Sequence, residues 1–315
     1  MSIISNIVAS LVSMFLILAV GFALRKTNKT DGELTRGLST VLVTAGLPAM
    51  ILSALQQTYS HERLVQLGVM TAGFFVTVML GVGVGVLICL VMRVPLREAG
   101  LWVNCLAFSN AIFMVRPIIV SIYGEDALFP LTGIIFCFNV LTFSLGAGLM
   151  SLGAQTGENR TSVKDNIVKF LLNPSMIATF VGLLLFRFSI ALPAGIATGL
   201  SMISNVTTPI AMLVIGMLLA ETRFADIIAD KRVYIISVLK LAIIPILTDL
   251  ILSPFVHDPL LLHILILGAV MPTASTVAVF AKQHENNPHL ASCVVFFSTC
   301  LSVISIPIIA SIILE

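Results

Sequence analysis

Residues 105–123 read CLAFSNAIFMVRPIIVSIY and residues 264–282 read ILILGAVMPTASTVAVFAK, and these two stretches decide the fold. Each is close to the length of about 20 apolar residues that a helix needs to cross a bilayer. Each also carries a proline beside small or polar residues, Pro117 in the first and Pro272 in the second. Proline removes a backbone donor and clashes with the preceding turn, and hydrocarbon offers the freed groups no water. We therefore predict two membrane helices that are broken near these prolines.

The composition indicates a membrane protein that crosses the bilayer several times. Of the 315 residues, 58% are hydrophobic and only 10% are charged, and the mean hydropathy is +1.10. A soluble domain carries about 25% charged residues, so the chain is not an ordinary soluble globule. The basic residues are scattered among short loops, and this pattern excludes nucleic acid as a partner.

Apolar runs predict ten membrane helices. They are expected near residues 4–24, 35–55, 65–92, 99–123, 127–152, 166–187, 194–220, 232–252, 259–281 and 289–313. Most lysines and arginines of the loops follow odd-numbered spans, whereas the opposite side holds only Arg63 and Arg187. The positive-inside rule then places the loops after odd-numbered spans in the cytoplasm and both termini outside.

Two halves of five spans each, residues 1–152 and 166–315, are joined by a polar connector at 153–165. The first half enters the membrane from outside and the second from the cytoplasm, so any internal repeat must be inverted. GLPAMIL around Pro48 in span two is similar to TTPIAML around Pro209 in span seven, and the interrupted spans four and nine correspond in the same way. Interrupted spans at matching positions of two inverted halves are typical of the binding site of a secondary transporter.

Arg116 is the most unusual residue of the predicted spans, because a mid-span arginine costs about 2.5–3.5 kcal/mol on insertion scales. Its guanidinium group has a fork geometry that suits a carboxylate, so it is a candidate partner for an anionic substrate at the helix break. The alternative is a structural role, in which Arg116 binds exposed carbonyls of its own broken helix or a residue on span nine. Both roles remain open from the sequence.

The other polar residues of the broken spans are candidate substrate ligands. Asn110 lies seven residues before Pro117, about two helical turns, so both are expected on one face, with Ser109 as a neighbour. An asparagine amide can bond a substrate oxygen or unwound backbone. Thr273 and Ser275 follow the proline of span nine and either line the site or satisfy freed carbonyls.

The chain resembles the auxin efflux carrier family, which includes plant auxin exporters and bacterial malate and malonate permeases. The matching stretches are GLPAMIL (46–52), AFSNAIFMVRPII (107–119), LLNPSMIATFVGLLLF (171–186), LPAGIATGLSMISNVTTPIAMLVIGMLLA (192–220) and MPTASTVAVFAKQ (271–283). The resemblance implies an all-α membrane protein of ten transmembrane helices in two inverted five-helix repeats. Helices two and seven with their neighbours would form a scaffold, and broken helices four and nine would cross in a transport domain.

The resemblance also bears on the site. Plant members of the family use an asparagine in the motif that contains Asn110 to bind substrate. The resemblance implies the same role for Asn173 in LLNP. The family usually has a glycine in the FMxxP element, where this chain has Val115 and Arg116. The predicted substrate-binding residues are Ser109, Asn110, Arg116, Pro117, Asn173, Pro272, Thr273 and Ser275.

These features predict a secondary carrier of small organic anions such as dicarboxylates, working by alternating access in the bacterial inner membrane. A gated channel or a receptor for a small carboxylate is the main alternative. An intramembrane enzyme is less favoured, because the spans contain no DxxxD motif, no paired aspartates and no serine–histidine constellation.

We expect no cofactor and no metal site, since the five cysteines lie in apolar segments without a CxxC motif. The oligomeric state is left open, a homodimer included.

The predicted orientation can be tested by labelling single cysteines in a variant that lacks the five native ones. A membrane-impermeant thiol reagent added to intact cells should label cysteines at either terminus and in the loop 253–258. A cysteine in the connector 153–165 should stay protected until the cells are opened. Labelling of the connector in intact cells would reverse the orientation.

Overall fold

The computed structural model describes residues 3–152, 172–222, 227 and 230–313, and it is helical throughout apart from short connections. The helices, in chain order, are α1 (Ile3–Lys26), α2 (Gly32–Ala54), α3 (His61–Val91), α4 (Leu96–Ala107), α5 (Ala111–Tyr123), α6 (Glu125–Ser151), α7 (Pro174–Arg187), α8 (Ala194–Leu219), α9 (Lys231–Leu252), α10 (Pro259–Val270), α11 (Ser275–Gln283) and α12 (Pro288–Ile313).

Seven of these helices, α1, α2, α3, α6, α8, α9 and α12, are long and apolar enough to cross a membrane. Three shorter apolar helices, α5, α7 and α10, accompany them. Every predicted span overlaps one of the helices or, for spans four and nine, a pair of them. The connector 153–165 and the first part of the span predicted at 166–187 lie outside the described residues.

Spans four and nine are both broken, as predicted, but the first break is not at its proline. The chain leaves the helix after Ala107 and resumes it at Ala111, whereas Pro117 lies inside α5. In the second span the break runs from Met271 to Ala274 and includes Pro272. The prediction for Pro117 was wrong because a missing N–H leaves one carbonyl without its donor, and a helix tolerates this.

The helices pack in two groups. In the first, α1 packs against α8, and α2 packs against α7 and α8. In the second, α3 packs against α4 and α6, α9 against α10 and α12, and α11 against α12. The half-helix α5 lies at the border, since it contacts α6 and α10 of the second group and also α1 and α8 of the first.

The backbones of α1 and α8 touch through two glycines. A Cβ atom added to Gly216 would lie 2.0 Å from the carbonyl oxygen of Leu18, and one added to Gly21 would lie 2.2 Å from that of Leu213. Small residues allow such an approach, and van der Waals contact between the helices is what stabilises them in lipid. The first group is therefore held by direct helix-to-helix contact.

Substitution of Gly216 tests this contact, with Gly199 of the same helix as control, because a Cβ there would meet nothing within 4 Å. We expect Gly216→Ala to lower the free energy of unfolding in detergent by about 1–3 kcal/mol, since the helices must move apart. Gly199→Ala should leave the free energy unchanged or raise it by up to about 1 kcal/mol. Equal melting curves for the two variants would contradict the close approach.

Candidate functional site

The two helix breaks cross and pair with each other through their backbones. The N–H of Asn110 donates to the carbonyl of Pro272 at 2.8 Å, and the N–H of Ala274 donates to the carbonyl of Phe108 at 3.0 Å. Ser109 and Thr273 lie opposite each other in this short antiparallel bridge. Buried backbone groups need partners, and here each break supplies the partners of the other. The four short helices α4, α5, α10 and α11 therefore meet at one point, which we call the crossing.

Side chains from neighbouring helices complete the crossing. The hydroxyl of Thr273 donates to the carbonyl of Cys105 at 2.9 Å, and the N–H of Thr273 donates to Oγ of Ser298 at 3.2 Å. The ammonium group of Lys240 donates to the carbonyl of Leu106 at 3.0 Å. Sequence reasoning did not assign Lys240 or Ser298 to this region; a lone lysine inside an apolar span was the available signal.

Two neighbouring polar side chains of the first break have no hydrogen-bond partner in the described part of the chain. Asn110 begins α5 without capping it, is only 6% exposed, and its amide makes no hydrogen bond to the described part of the chain. The hydroxyl of Ser109 beside it is buried and likewise unbonded. A buried polar group without a partner costs about 1–3 kcal/mol, so this pair is suited to hold a ligand. Ser275, the first residue of α11, is partly exposed at the same place.

Arg116 lies away from the crossing, two turns along α5, and binds α8. Its Nη1 donates to the carbonyl of Ser204 at 2.7 Å, and its Nη2 donates to Oδ1 of Asn205 at 3.3 Å. Pro209 lies one turn further along α8. It has no N–H, so it cannot donate a hydrogen bond to the carbonyl of Asn205, four residues before it. The structural role foreseen for Arg116 is present, but its partner is span seven rather than its own helix or span nine.

Arg116 also separates two cavities. One, of about 360 Å³, lies between α1, α5 and α8 and is lined by Ser10, Ser13, Pro117 and Thr208 as well as Arg116. The other, of about 120 Å³, lies towards α2. Glu125, just after α5, lines both. The larger volume falls in the range of small-molecule sites, which begins at about 300 Å³.

Asn173 is set apart from these features. It is the N-cap of α7, where its Oδ1 accepts a hydrogen bond from the N–H of Ser175 at 2.9 Å. Its helix packs mainly against α2. Of the eight predicted residues, the structure brings five to the crossing, namely Ser109, Asn110, Pro272, Thr273 and Ser275. It places Arg116 and Pro117 at the larger cavity and Asn173 at a helix end.

Residues 6–157 and 147–310 match a family described as "Membrane transport protein". The chain belongs to this family. The resemblance to auxin efflux carriers is thereby confirmed, because a protein named "Auxin efflux carrier component 1" of Arabidopsis thaliana is 25% identical over 138 residues, which cover 42% of this chain and 22% of that protein.

Two further relatives are transporters by name. A protein of Rhizobium meliloti named "Putative malonate transporter" is 24% identical over 312 residues, covering 96% of this chain and 94% of the relative. A protein of Methanothermobacter thermautotrophicus named "Uncharacterized transporter" is 28% identical over 207 residues, covering 64% of each chain. The composition, the seven apolar helices and these matches make the protein a multi-pass membrane transporter.

The contribution of Thr273 to the crossing can be measured against Thr276, a hydroxyl that is buried without a partner. Thr273→Val keeps the shape of the side chain but leaves the carbonyl of Cys105 without its donor. We expect it to lower the free energy of unfolding by about 1–3 kcal/mol, measured in detergent without added anion. Thr276→Val should be neutral or stabilising. A larger loss for Thr276→Val would show that the bond to Cys105 does not hold the crossing.

Proposed function

We propose that this protein is a secondary active carrier of small organic anions, in particular dicarboxylates such as malonate, and that it works by alternating access. The observation that carries the proposal is the crossing with its unbonded Ser109 and Asn110. Two half-helices, α5 and α11, begin there, and the first N–H groups of a helix have no partners within it. The partial positive charge of both N-termini favours a carboxylate between them.

The contacts between helices support an architecture of ten spans in two inverted repeats. If spans one to five correspond to spans six to ten, the contact of α1 with α8 corresponds to that of α7 with α2. In the same way the contacts of α3 with α4 and α6 correspond to those of α9 with α10 and α12. The two breaks then exchange places, and the antiparallel bridge between Ser109 and Thr273 agrees with this exchange. We propose residues 1–152 and 166–315 as the two repeats.

The border between the two helix groups is where alternating access would occur. In the proposed cycle the group that contains the crossing moves against α1, α2, α7 and α8, which form the scaffold. The cavities on either side of Arg116 lie at this border, close to Glu125 and thus on the predicted outer side. We propose that Arg116 and Pro117 meet the anion there before it reaches Asn110. Asn173 is left out of the site because its side chain caps α7.

The name of the Rhizobium relative makes malonate the first compound to test. The protein would lie in the bacterial inner membrane with both termini outside. A carrier shows saturation and counterflow, whereas a channel does not, so counterflow of radiolabelled malonate into proteoliposomes separates the two. Saturable uptake without counterflow would contradict the carrier mechanism.

Substitution of Asn110 tests the place of the site. Asn110→Ala should weaken malonate binding by at least about tenfold, because a hydrogen bond to a charged group contributes about 1.5–3 kcal/mol. Thr44→Ala serves as the scaffold control, since Thr44 is an exposed residue of α2 whose hydroxyl bonds only to the carbonyl of Thr40. Competition binding with radiolabelled malonate is the measurement, on variants with a wild-type melting curve. Wild-type affinity in Asn110→Ala together with lost affinity in Thr44→Ala would place the site elsewhere.

A further inference from the structure

Lys240 is a charged side chain in the interior of the second helix group. It is 0% exposed and lies in a π-helical turn of α9, residues Leu239–Ile243. Such wider turns occur as single turns inside α-helices and are frequent at functional sites. Its ammonium group reaches the carbonyl of Leu106, in the last turn of α4, at 3.0 Å. The side chain thus connects α9 with one end of the crossing.

The last carbonyls of α4 are satisfied from outside the helix. The carbonyl of Cys105 accepts from the hydroxyl of Thr273, and that of Leu106 accepts from Lys240. The C-terminus of a helix carries a partial negative charge of roughly half an elementary charge. An ammonium group at this position therefore neutralises the end of α4, while a hydroxyl from α11 fills the adjacent position.

The positive charge of Lys240 is not balanced by a carboxylate. The ion pairs among the described residues join Arg25 to Glu221, and Arg232 to Glu98 and Asp230. A buried charge costs several kcal/mol when it lacks a counter-ion, and the half charge at the end of α4 offsets only part of it. The crossing therefore retains a positive potential beside the unbonded Ser109 and Asn110.

We infer that Lys240 is the resident cation of the crossing: it holds the C-terminal end of α4 and supplies the positive charge that attracts an anion, so that no sodium ion has to bind with the substrate. Lys240 is a positioning residue, since its ammonium group bonds to α4 and acts on the ligand through its charge rather than by contact. This inference deepens the proposed function, because it rests on an anionic substrate and names the group that selects it.

Two consequences are measurable. Malonate binding to the wild-type protein should be the same in sodium-free and sodium-containing buffer. Lys240→Met keeps the length of the side chain and removes its charge, and it should weaken malonate binding by at least about tenfold, which corresponds to about 1.4 kcal/mol. Lys240→Arg should retain most of the affinity, because it keeps the charge. If only the apolar stem of Lys240 mattered, Lys240→Met would bind malonate more tightly than Lys240→Arg.

The matched control is Lys26. Its ammonium group also donates to a helix-terminal carbonyl, that of Ala220 after α8, at 3.2 Å, but the side chain is exposed and far along the chain from the crossing. Lys26→Met should bind malonate as the wild type does. Affinity within twofold of the wild type for a folded Lys240→Met, in sodium-free buffer, would overturn the inference.

A second measurement does not depend on the substrate. Lys240→Ala leaves a space that propylammonium fits, so this compound should raise the melting temperature of Lys240→Ala and leave that of Lys26→Ala unchanged. An equal response of both variants, or none, would also overturn the inference. If the wild-type protein binds no malonate, malonate is not its substrate, while the propylammonium measurement still tests whether a cation holds the end of α4.

Discussion

The antiparallel pairing of two interrupted helices is the constraint on which the rest of the structure depends. A break in a membrane helix exposes backbone groups that hydrocarbon cannot satisfy, and neither break here is fully satisfied by its own span. The bonds from Asn110 to Pro272 and from Ala274 to Phe108 solve both problems at once. They also bring two helix N-termini to a single point deep in an apolar protein. The proposed binding site and the architecture therefore have a common origin.

At the crossing, the groups that hold the helices together are different from the side chains that are proposed to bind the ligand. The bonds that join the two breaks use backbone groups of Phe108, Asn110, Pro272 and Ala274. The hydroxyl of Thr273 and the ammonium group of Lys240 hold the adjacent end of α4. The side chains of Ser109 and Asn110 take no part in these bonds. In the proposed function a ligand would enter or leave without breaking the bonds that hold the helices together, as a carrier that cycles through empty and loaded states requires.

The sequence predicted the helices well and their partners poorly. Apolar runs are local properties, so each span from 4–24 to 289–313 overlaps a helix or a pair of helices in the part of the chain that the structure describes. The position of the first break was missed because Pro117 signals a missing donor, whereas the break is stabilised by bonds to residues 162 and 166 positions away, Asn110 to Pro272 and Phe108 to Ala274. Arg116 was recognised as costly, but its bonds to Ser204 and Asn205 depend on the packing of α5 against α8. Only the tertiary structure specifies such a pair.

The glycine contact between α1 and α8 also constrains how the protein is made. A chain enters the membrane from its N-terminus, and domains generally fold in that order during synthesis. The surface around Gly21 is thus in the bilayer well before Leu213, its partner in α8, has left the ribosome. Until then this face of α1 is covered by lipid or by another helix that must later be displaced. The packing of α1 against α8 is therefore completed late, although α1 is inserted long before α8.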